Sequence, residues 1–332
     1  MAGENAATSA GVSPAGGAAA GLSERFGFLR SLTLAGLLLA MWLALALSTR
    51  TFLTPLNFAN LARQASLWSI IALGQTFVLI TGGIDLSVGA VIGFTGVIVA
   101  LLMHAGLPIP LAVLLTLLAG AGIGCFHAFG ILRLGLPPFI MTLATLTSLR
   151  GVGYIMTNGA PLSGFPDAFT NFSVESFLGI PLLFWAVIAV AAPAAVLLHR
   201  TRYGRYLYAT GSNREATRLS GVNVGATICL AYIICSALAA LAGVLTASRI
   251  GVAIAGTGEG WELQSIAASV IGGVSLFGAV GTSYGPLLGA ILISTINNGA
   301  NLLNVNSFWQ QVITGALIIA IVFIDQSRRR SR

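Results

Sequence analysis

The sequence predicts an all-α polytopic membrane protein of about ten transmembrane helices, some of them interrupted, and three observations carry the prediction. Of 332 residues, 56% are hydrophobic and only 8% charged, against about 25% charged in an average soluble protein. Asp, Glu, Lys and Arg are absent from 31–49, 64–84, 86–132, 134–149, 151–166, 176–199, 219–248 and 263–324. Runs such as LTLAGLLLAMWLALAL (32–47) are apolar at every position, whereas the strands of a membrane barrel alternate apolar and polar residues.

A helix crosses the hydrocarbon core in about 20 residues, so 86–132 holds two crossings and 263–324 holds three. In order, 31–49 lies between Arg30 and Arg50, 65–83 ends on Gly82 and Gly83, and 86–104 restarts after Asp85. The run 109–132 stops at Arg133, 137–156 carries Arg150 inside it, and 178–199 stops at Arg200. The remaining crossings are 224–248, 262–281, 284–303 and 308–325. Residues 1–24 are expected to be a disordered cytoplasmic tail, since the Ala-, Gly- and Ser-rich start lacks the basic opening of a signal peptide. Residues 25–327 then form one transmembrane domain, and 328–332 a short basic cytoplasmic tail.

All 16 basic residues are Arg, and the net charge is +7. Their distribution argues against nucleic acid as a partner. With the N-terminus inside and an even number of crossings, only Arg50, Arg63, Arg150 and Arg249 fall outside the cytoplasmic segments, which is the positive-inside asymmetry of a plasma-membrane protein in contact with lipid. Two polar connections stand out. The outer one, 157–177, carries Asp167 and Glu175, and the inner one, 200–223, carries five Arg and Glu215. A stretch of that length without structure would be unusual. Asn213 has the character of a helix cap, with Glu215 in the first turn, where the helix dipole favours a carboxylate. A short internal echo relates ITGGIDLSVGAV (80–91) to VIGGVSLFGAV (270–280), as duplicated transporters with interrupted helices do; chance matching among 41 glycines accounts for it equally well.

No catalytic constellation or metal site is present in the sequence. His104, His127 and His199 have no His or carboxylate at i+3 or i+4, and Cys125, Cys229 and Cys235 fall inside predicted helices, where a small soft side chain packs. Without lysine there is no phosphate-binding G-x-x-x-x-G-K-[ST] loop, so energy from ATP has to come from a partner. Intramembrane charges are costly unless paired or hydrated, which singles out Asp85. It reads either as a pathway or coupling-ion carboxylate or, with Ser87, as a cap that restarts a helix after the Gly82–Gly83 turn. Arg150 could pair with Asp85, bind a hydroxylated solute or snorkel, and Glu259 and Glu262 flank Trp261 at an outer rim. Candidate pathway residues are Gln75, Thr76 and Asp85 at the break, Phe139, Thr142 and Thr145 in PPFIMTLATLTS, and Asn297 and Asn298 in NNGANLLNVN. Neutral hydrogen-bonding groups suit a polyhydroxylated neutral solute, because they exchange bonds with hydroxyls without stranding a buried charge. Helix–helix hydrogen bonding accounts for the Ser/Thr set nearly as well.

Four stretches in register, LGQTFVLITGGIDLSVG (73–89), LPPFIMTLATL (136–146), YGRYLYATGSNREATRLSGVNV (203–224) and SVIGGVSLFGAVG with GPLLGA (269–290), resemble the membrane permease of ribose/xylose/arabinose-type ABC importers, the carbohydrate uptake transporter-2 family. The likeness runs from about residue 30 to about residue 325. It implies a type II-like permease fold and import of a monosaccharide or related polyol by alternating access. The implied partners are a second permease copy, a cytoplasmic ABC ATPase that holds the ATP and Mg, and a periplasmic sugar-binding protein. The chain itself would bind no cofactor and catalyse no reaction. The resemblance assigns Gly211, Asn213 and Ala216 to a coupling helix that docks on the ATPase, with Glu215, Arg218 and Gly221 in the same element; Thr217 stands where many relatives have a second small residue. An ion-coupled secondary transporter using Asp85 and Arg150 is the alternative.

Overall fold

The computed structural model describes residues 15–306 and, beyond them, 308–310, 312, 313, 315, 316, 319, 323 and 326, with side chains described from Leu32 onward. The elements are α1 (Ala15–Ser48), α2 (Pro55–Ile80), α3 (Val88–His104), α4 (Ile109–Leu132), α5 (Pro138–Thr157), α6 (Asp167–Val174), β1 (Ser176–Phe177), β2 (Ile180–Pro181), α7 (Leu182–Arg200), α8 (Arg202–Ser212), α9 (Arg214–Leu219), α10 (Val224–Ile250), α11 (Trp261–Ile271) and α12 (Gly285–Leu302). The strands form a two-residue antiparallel hairpin, closed by Leu178 and Gly179 at positive φ, as a tight right-twisted hairpin turn requires.

Four described helices, α4, α5, α7 and α10, are long and apolar enough to cross a membrane, and the Leu32–Ser48 part of α1 and all of α3 are shorter apolar helices. The chain is thus an all-α membrane protein. Its centre is α10, which has 61% of its most apolar window buried against 22% for α4, α5 and α7. It packs against α4, α2 and α3. Close approach of α4 depends on missing side chains: a Cβ at Gly120 would overlap Ala240, and one at Gly124 would press on the Tyr232 and Ile233 backbone. Without a hydrophobic drive between helices in lipid, such small-residue contacts carry the packing. Leu111, Leu114, Leu115 and Leu118 of α4 stay exposed on the other side, where lipid is the solvent.

Polar side chains lock helix pairs far apart in sequence. Asn57 of α2 and Asn298 of α12, both nearly buried, exchange amide hydrogen bonds at 3.2 and 2.8 Å. Arg63 of α2 donates to the Ser173 and Val174 carbonyls at the end of α6.

One expectation needs correction. The crossing expected over 262–281 is an eleven-residue helix, α11, followed by an irregular stretch to Tyr284. Absence of charge shows only that a segment tolerates the membrane; here Gly273 and Gly278, at φ 104° and 89°, take the chain out of the helix. Helix α1 starts at Ala15, inside the stretch expected to be tail, while residues 1–14, the basic tail 328–332 and much of the crossing expected over 308–325 lie outside the described residues.

Helices α2 and α11 end alike. Gly82 N–H bonds Leu79 O and Gly83 N–H bonds Val78 O; Gly273 N–H bonds Val270 O and Val274 N–H bonds Ser269 O. Both are the six-to-one closure of a helix C-terminus. The structural echo is one residue out of step with the glycine pairs of the sequence echo. The irregular stretch after α11 also meets the end of α2, since Ala279 N–H donates to Ile80 O at 2.9 Å.

Candidate functional site: an interrupted helix seated on a charged elbow

Between α2 and α3 the backbone leaves the helix for residues 81–87, with Thr81, Gly83, Asp85 and Ser87 buried, Ile84 and Leu86 half-buried and Gly82 exposed. Orphaned backbone groups in such a place must find partners, and several partners are identifiable. Ala279 N–H serves Ile80 O, and the Arg214 guanidinium donates to Thr81 O at 3.2 Å. Tyr232 Oη lies 3.4 Å from Ile84 O. The Gln75 carboxamide, oriented to satisfy both of its faces, donates to Asp85 O and accepts from Asp85 N–H, each at 3.2 Å. Thr142 Oγ1 accepts the Leu86 N–H at 3.1 Å and donates to Pro138 O at 2.9 Å.

Asp85 is wholly buried. Its Oδ1 accepts from the Ser87 amide at 2.8 Å and the Ser87 hydroxyl at 2.6 Å. The carboxylate therefore braces the turn one step before the helix, and Ser87, the N-cap residue of α3, makes no side-chain cap bond itself. Asp85 Oδ2 faces His127 Nδ1 of α4 at 3.7 Å, both side chains fully covered, and the His127 ring meets Tyr232 edge-on with centroids 5.9 Å apart. This neighbour is invisible to a search for His at helical spacing, because α4 delivers it from 42 residues on in the chain. Arg150 has its ion partner in Glu259, at 3.5 Å.

Of the predicted pathway residues, Gln75, Asp85 and Thr142 come together at the break. Thr76 is buried in α2 and its hydroxyl bonds back to Ala72 O; Thr145 does the same to Met141 O. Thr145 also borders, with Phe126, Met141 and Ser148, a cavity of 410 Å³ between α4 and α5. Phe139 is exposed on α5. Asn297 and Asn298 are on α12, away from the break, and Asn298 is occupied by Asn57.

The charged connection folds into an elbow of α8 and α9. Asn213 caps α9, its Oδ1 accepting from Ala216 N–H at 3.0 Å. Gly221, at φ 80°, closes it. Glu215 and Arg218 pair across one turn at 2.5 Å, both exposed; the hydrogen bond from Arg218, reinforced by its charge, holds the Glu215 carboxyl below the usual carboxylate range. Glu215, Ala216, Arg218, Leu219 and Gly221 face outward while Thr217 is buried, its hydroxyl on Asn213 O, so the residue that departs from the pattern of similar chains does not reach the outward face. Gly211 is pressed against the break: a Cβ there would overlap the Ile80 carbonyl oxygen and crowd Ala279 N. Tyr208 fastens the irregular stretch between α11 and α12, its hydroxyl donating to Gly281 O at 2.8 Å, and burial pushes its pKa up to about 12. Arg214, Tyr208 and Tyr232 escape sequence reasoning because their partners are backbone carbonyls from distant segments. The one signal available is that Arg214 belongs to the charged connection. Among the described residues no group of His, Cys, Asp and Glu could hold a metal ion.

A family model described as the permease component of branched-chain amino acid transport systems matches residues 57–322. The ribose import permease protein of Escherichia coli strain K12 is 39% identical over 282 residues, covering 84% of this chain and 88% of that protein. That of Bacillus subtilis strain 168 is 40% identical over 280 residues, 84% and 87% of the two chains. The galactose/methyl galactoside import permease protein of Escherichia coli strain K12 is 38% identical over 295 residues, 83% and 88%. No solved structure matches. The span of the family match and the identity to these relatives over most of both chains show that this chain belongs to the permease family of ABC importers and is a transport subunit, not an enzyme.

Proposed function

We propose that the chain is the membrane-spanning subunit of an ATP-driven importer for a monosaccharide or related polyol, with about ten transmembrane helices in a type II-like arrangement. It works in the bacterial inner membrane with both termini cytoplasmic, as a homodimer. A cytoplasmic ABC ATPase holding ATP and Mg docks on α8 and α9, and a periplasmic sugar-binding protein delivers the solute. Relatives named for ribose and galactose support the solute class.

The observation that carries the reading is the seat of the elbow. Gly211 and Arg214 touch the ends of the α2 break directly, at Ile80 and Thr81, so a push on α9 from an ATPase reaches the point where α2 and α3 join. Two alternative arrangements of that junction would be the inward- and outward-open states, each selected by differential contacts. Gln75, Asp85 and Thr142 hold this hinge, and Phe139, Thr145, Asn297 and Asn298 remain proposed contacts along the pathway.

The test is uptake of labelled D-ribose, D-allose and D-galactose into proteoliposomes holding the permease, its ATPase and its binding protein. Asn213→Ala, which removes the cap, is expected to lower ATP-dependent uptake and ATPase stimulation together. Uptake that persists in this variant and disappears when the proton gradient is collapsed would establish the ion-coupled alternative instead.

A further inference from the structure

Between α10 and α11 the chain enters the helical bundle as irregular backbone. Residues 254–260 form successive turns, closed by Thr257 N–H to Ile254 O, Glu259 N–H to Gly256 O and Trp261 N–H to Gly258 O. They lie along α3, where a Cβ at Gly93 would overlap the Ala255 carbonyl and one at Gly89 the Gly258 carbonyl. On the other side they meet α5, through Gly153 against Ala255 and the Tyr154 hydroxyl against Gly256. The segment ends at Trp261, whose ring packs 5.2 Å from that of Trp68, halfway along α2. It therefore descends to the middle of the bundle. At such depth non-helical backbone persists only where protein buries it or where it lines water.

Glu259 decides between those two. Its side chain is 76% exposed while that of its partner Arg150 is 18% exposed, and a carboxylate at this depth is not held against lipid. Arg150 is about 18 Å along α5 from Pro138 and about 10 Å from Thr157. Its Nη1 engages Glu259, while Nε and Nη2 have no hydrogen-bond partner. Thr147 and Tyr154, three residues before and four after Arg150, share its helix face and are exposed. One wall thus carries an exposed carboxylate, phenol and hydroxyl beside a largely covered guanidinium whose Nε and Nη2 are buried and unpaired.

We propose that Arg150 and Glu259, flanked by Tyr154 and Thr147, form a membrane-embedded contact site for the neutral, polyhydroxylated solute. The ion pair opens to give vicinal hydroxyls two donors and an acceptor, then recloses behind them. This rests on the importer reading and adds a solute site on the permease itself. A diol suits it because the guanidinium supplies donors, and the carboxylate an acceptor, to neighbouring hydroxyls.

The test uses the full chain with its ATPase and binding protein, in a background where Cys125, Cys229 and Cys235 are replaced by Ala and uptake of D-ribose, D-allose or D-galactose is retained. With Glu259→Cys in that background, a charged, membrane-impermeant thiosulfonate is expected to react, and the transported sugar to slow the reaction severalfold. Arg150→Gln and Glu259→Gln are expected to raise the KM for uptake about tenfold, the loss of roughly one charged hydrogen bond, while stimulation of the ATPase by the binding protein persists. The proposal is overturned if the thiol of the Glu259→Cys variant does not react, if it instead forms a disulfide with a second copy, if the sugar leaves its rate unchanged, or if both Gln variants keep the parental KM. Failure of the importer reading shows differently, as an unmutated chain that takes up none of the sugars with ATP.

Discussion

The Gln75 side chain bridges the interrupted helix by holding both backbone groups of a single residue, donating to Asp85 O and accepting from Asp85 N–H. A carboxamide does this neutrally, since it carries a donor and an acceptor side by side. Gln75→Leu leaves both groups buried and unpaired, at about 1–3 kcal/mol each. The expected result is a fall of several degrees in the melting temperature of the detergent-solubilised protein, with a smaller fall for Gln75→Glu, which keeps the acceptor. Equal melting of Gln75→Leu and the parent would remove the bridge from the account.

Asp85→Asn is expected to retain most uptake, because the amide oxygen can still accept from the Ser87 amide and hydroxyl, and Asn braces such turns about as well as Asp. Asp85→Ala loses both bonds and is expected to lose about 1–2 kcal/mol of stability and most uptake. Near-complete loss in Asp85→Asn at normal expression would instead give the charge itself a role, with His127 as its nearest partner.

Gly211→Val is expected to separate transport from folding. A Cβ at this position overlaps the Ile80 carbonyl, so α8 has to lift from the break while the bundle around α10 is untouched. Size-exclusion behaviour close to that of the parent, with at least tenfold weaker stimulation of the ATPase by the binding protein, is the expected pair of readings. Parental stimulation would show that the contact at Ile80 carries no signal.

The Glu215–Arg218 pair gives a pH signature. The folded carboxyl is held low by Arg218, so the pair's contribution is fully present above the ordinary carboxylate pKa and is lost as pH falls through the lowered folded value. Carbon NMR of selectively labelled Glu in the detergent-solubilised chain should show Glu215 titrating below about 4.3 and returning to the ordinary range in Arg218→Gln. Both side chains are largely exposed, so uptake near neutral pH should change little in Arg218→Gln unless the ATPase uses this surface.

What the sequence makes legible is local. Charge-free runs locate α2, α3, α4, α5, α7, α10 and α12 within a few residues, apart from an earlier start of α2 at Pro55, because the membrane excludes charge. Asn213 announces its cap through its own side chain. The short reach of α11 is not legible by the same criterion, since glycine ends a helix without adding charge. Arg150 with Glu259, Asn57 with Asn298, and His127 with Asp85 are also hidden. Helices apolar on every face show no amphipathic stripe to say which side meets which neighbour, and these partners lie 42 to 241 residues apart. The internal echo is informative in one respect: it marks two helix ends that share a closure, and its last residues return to the first of them where Ala279 meets Ile80.

The reciprocal amides of Asn57 and Asn298 constrain the order of biosynthesis. The partner of Asn57 is translated 241 residues later, roughly 10–50 s at ribosomal speed. Through that interval the first turn of α2 holds a carboxamide that has its bond to Phe52 O but not its exchange with Asn298. A ribosome stalled before α12 would leave a nascent chain with α2 held by Arg63 at the end of α6 and by α10, but not yet by Asn298.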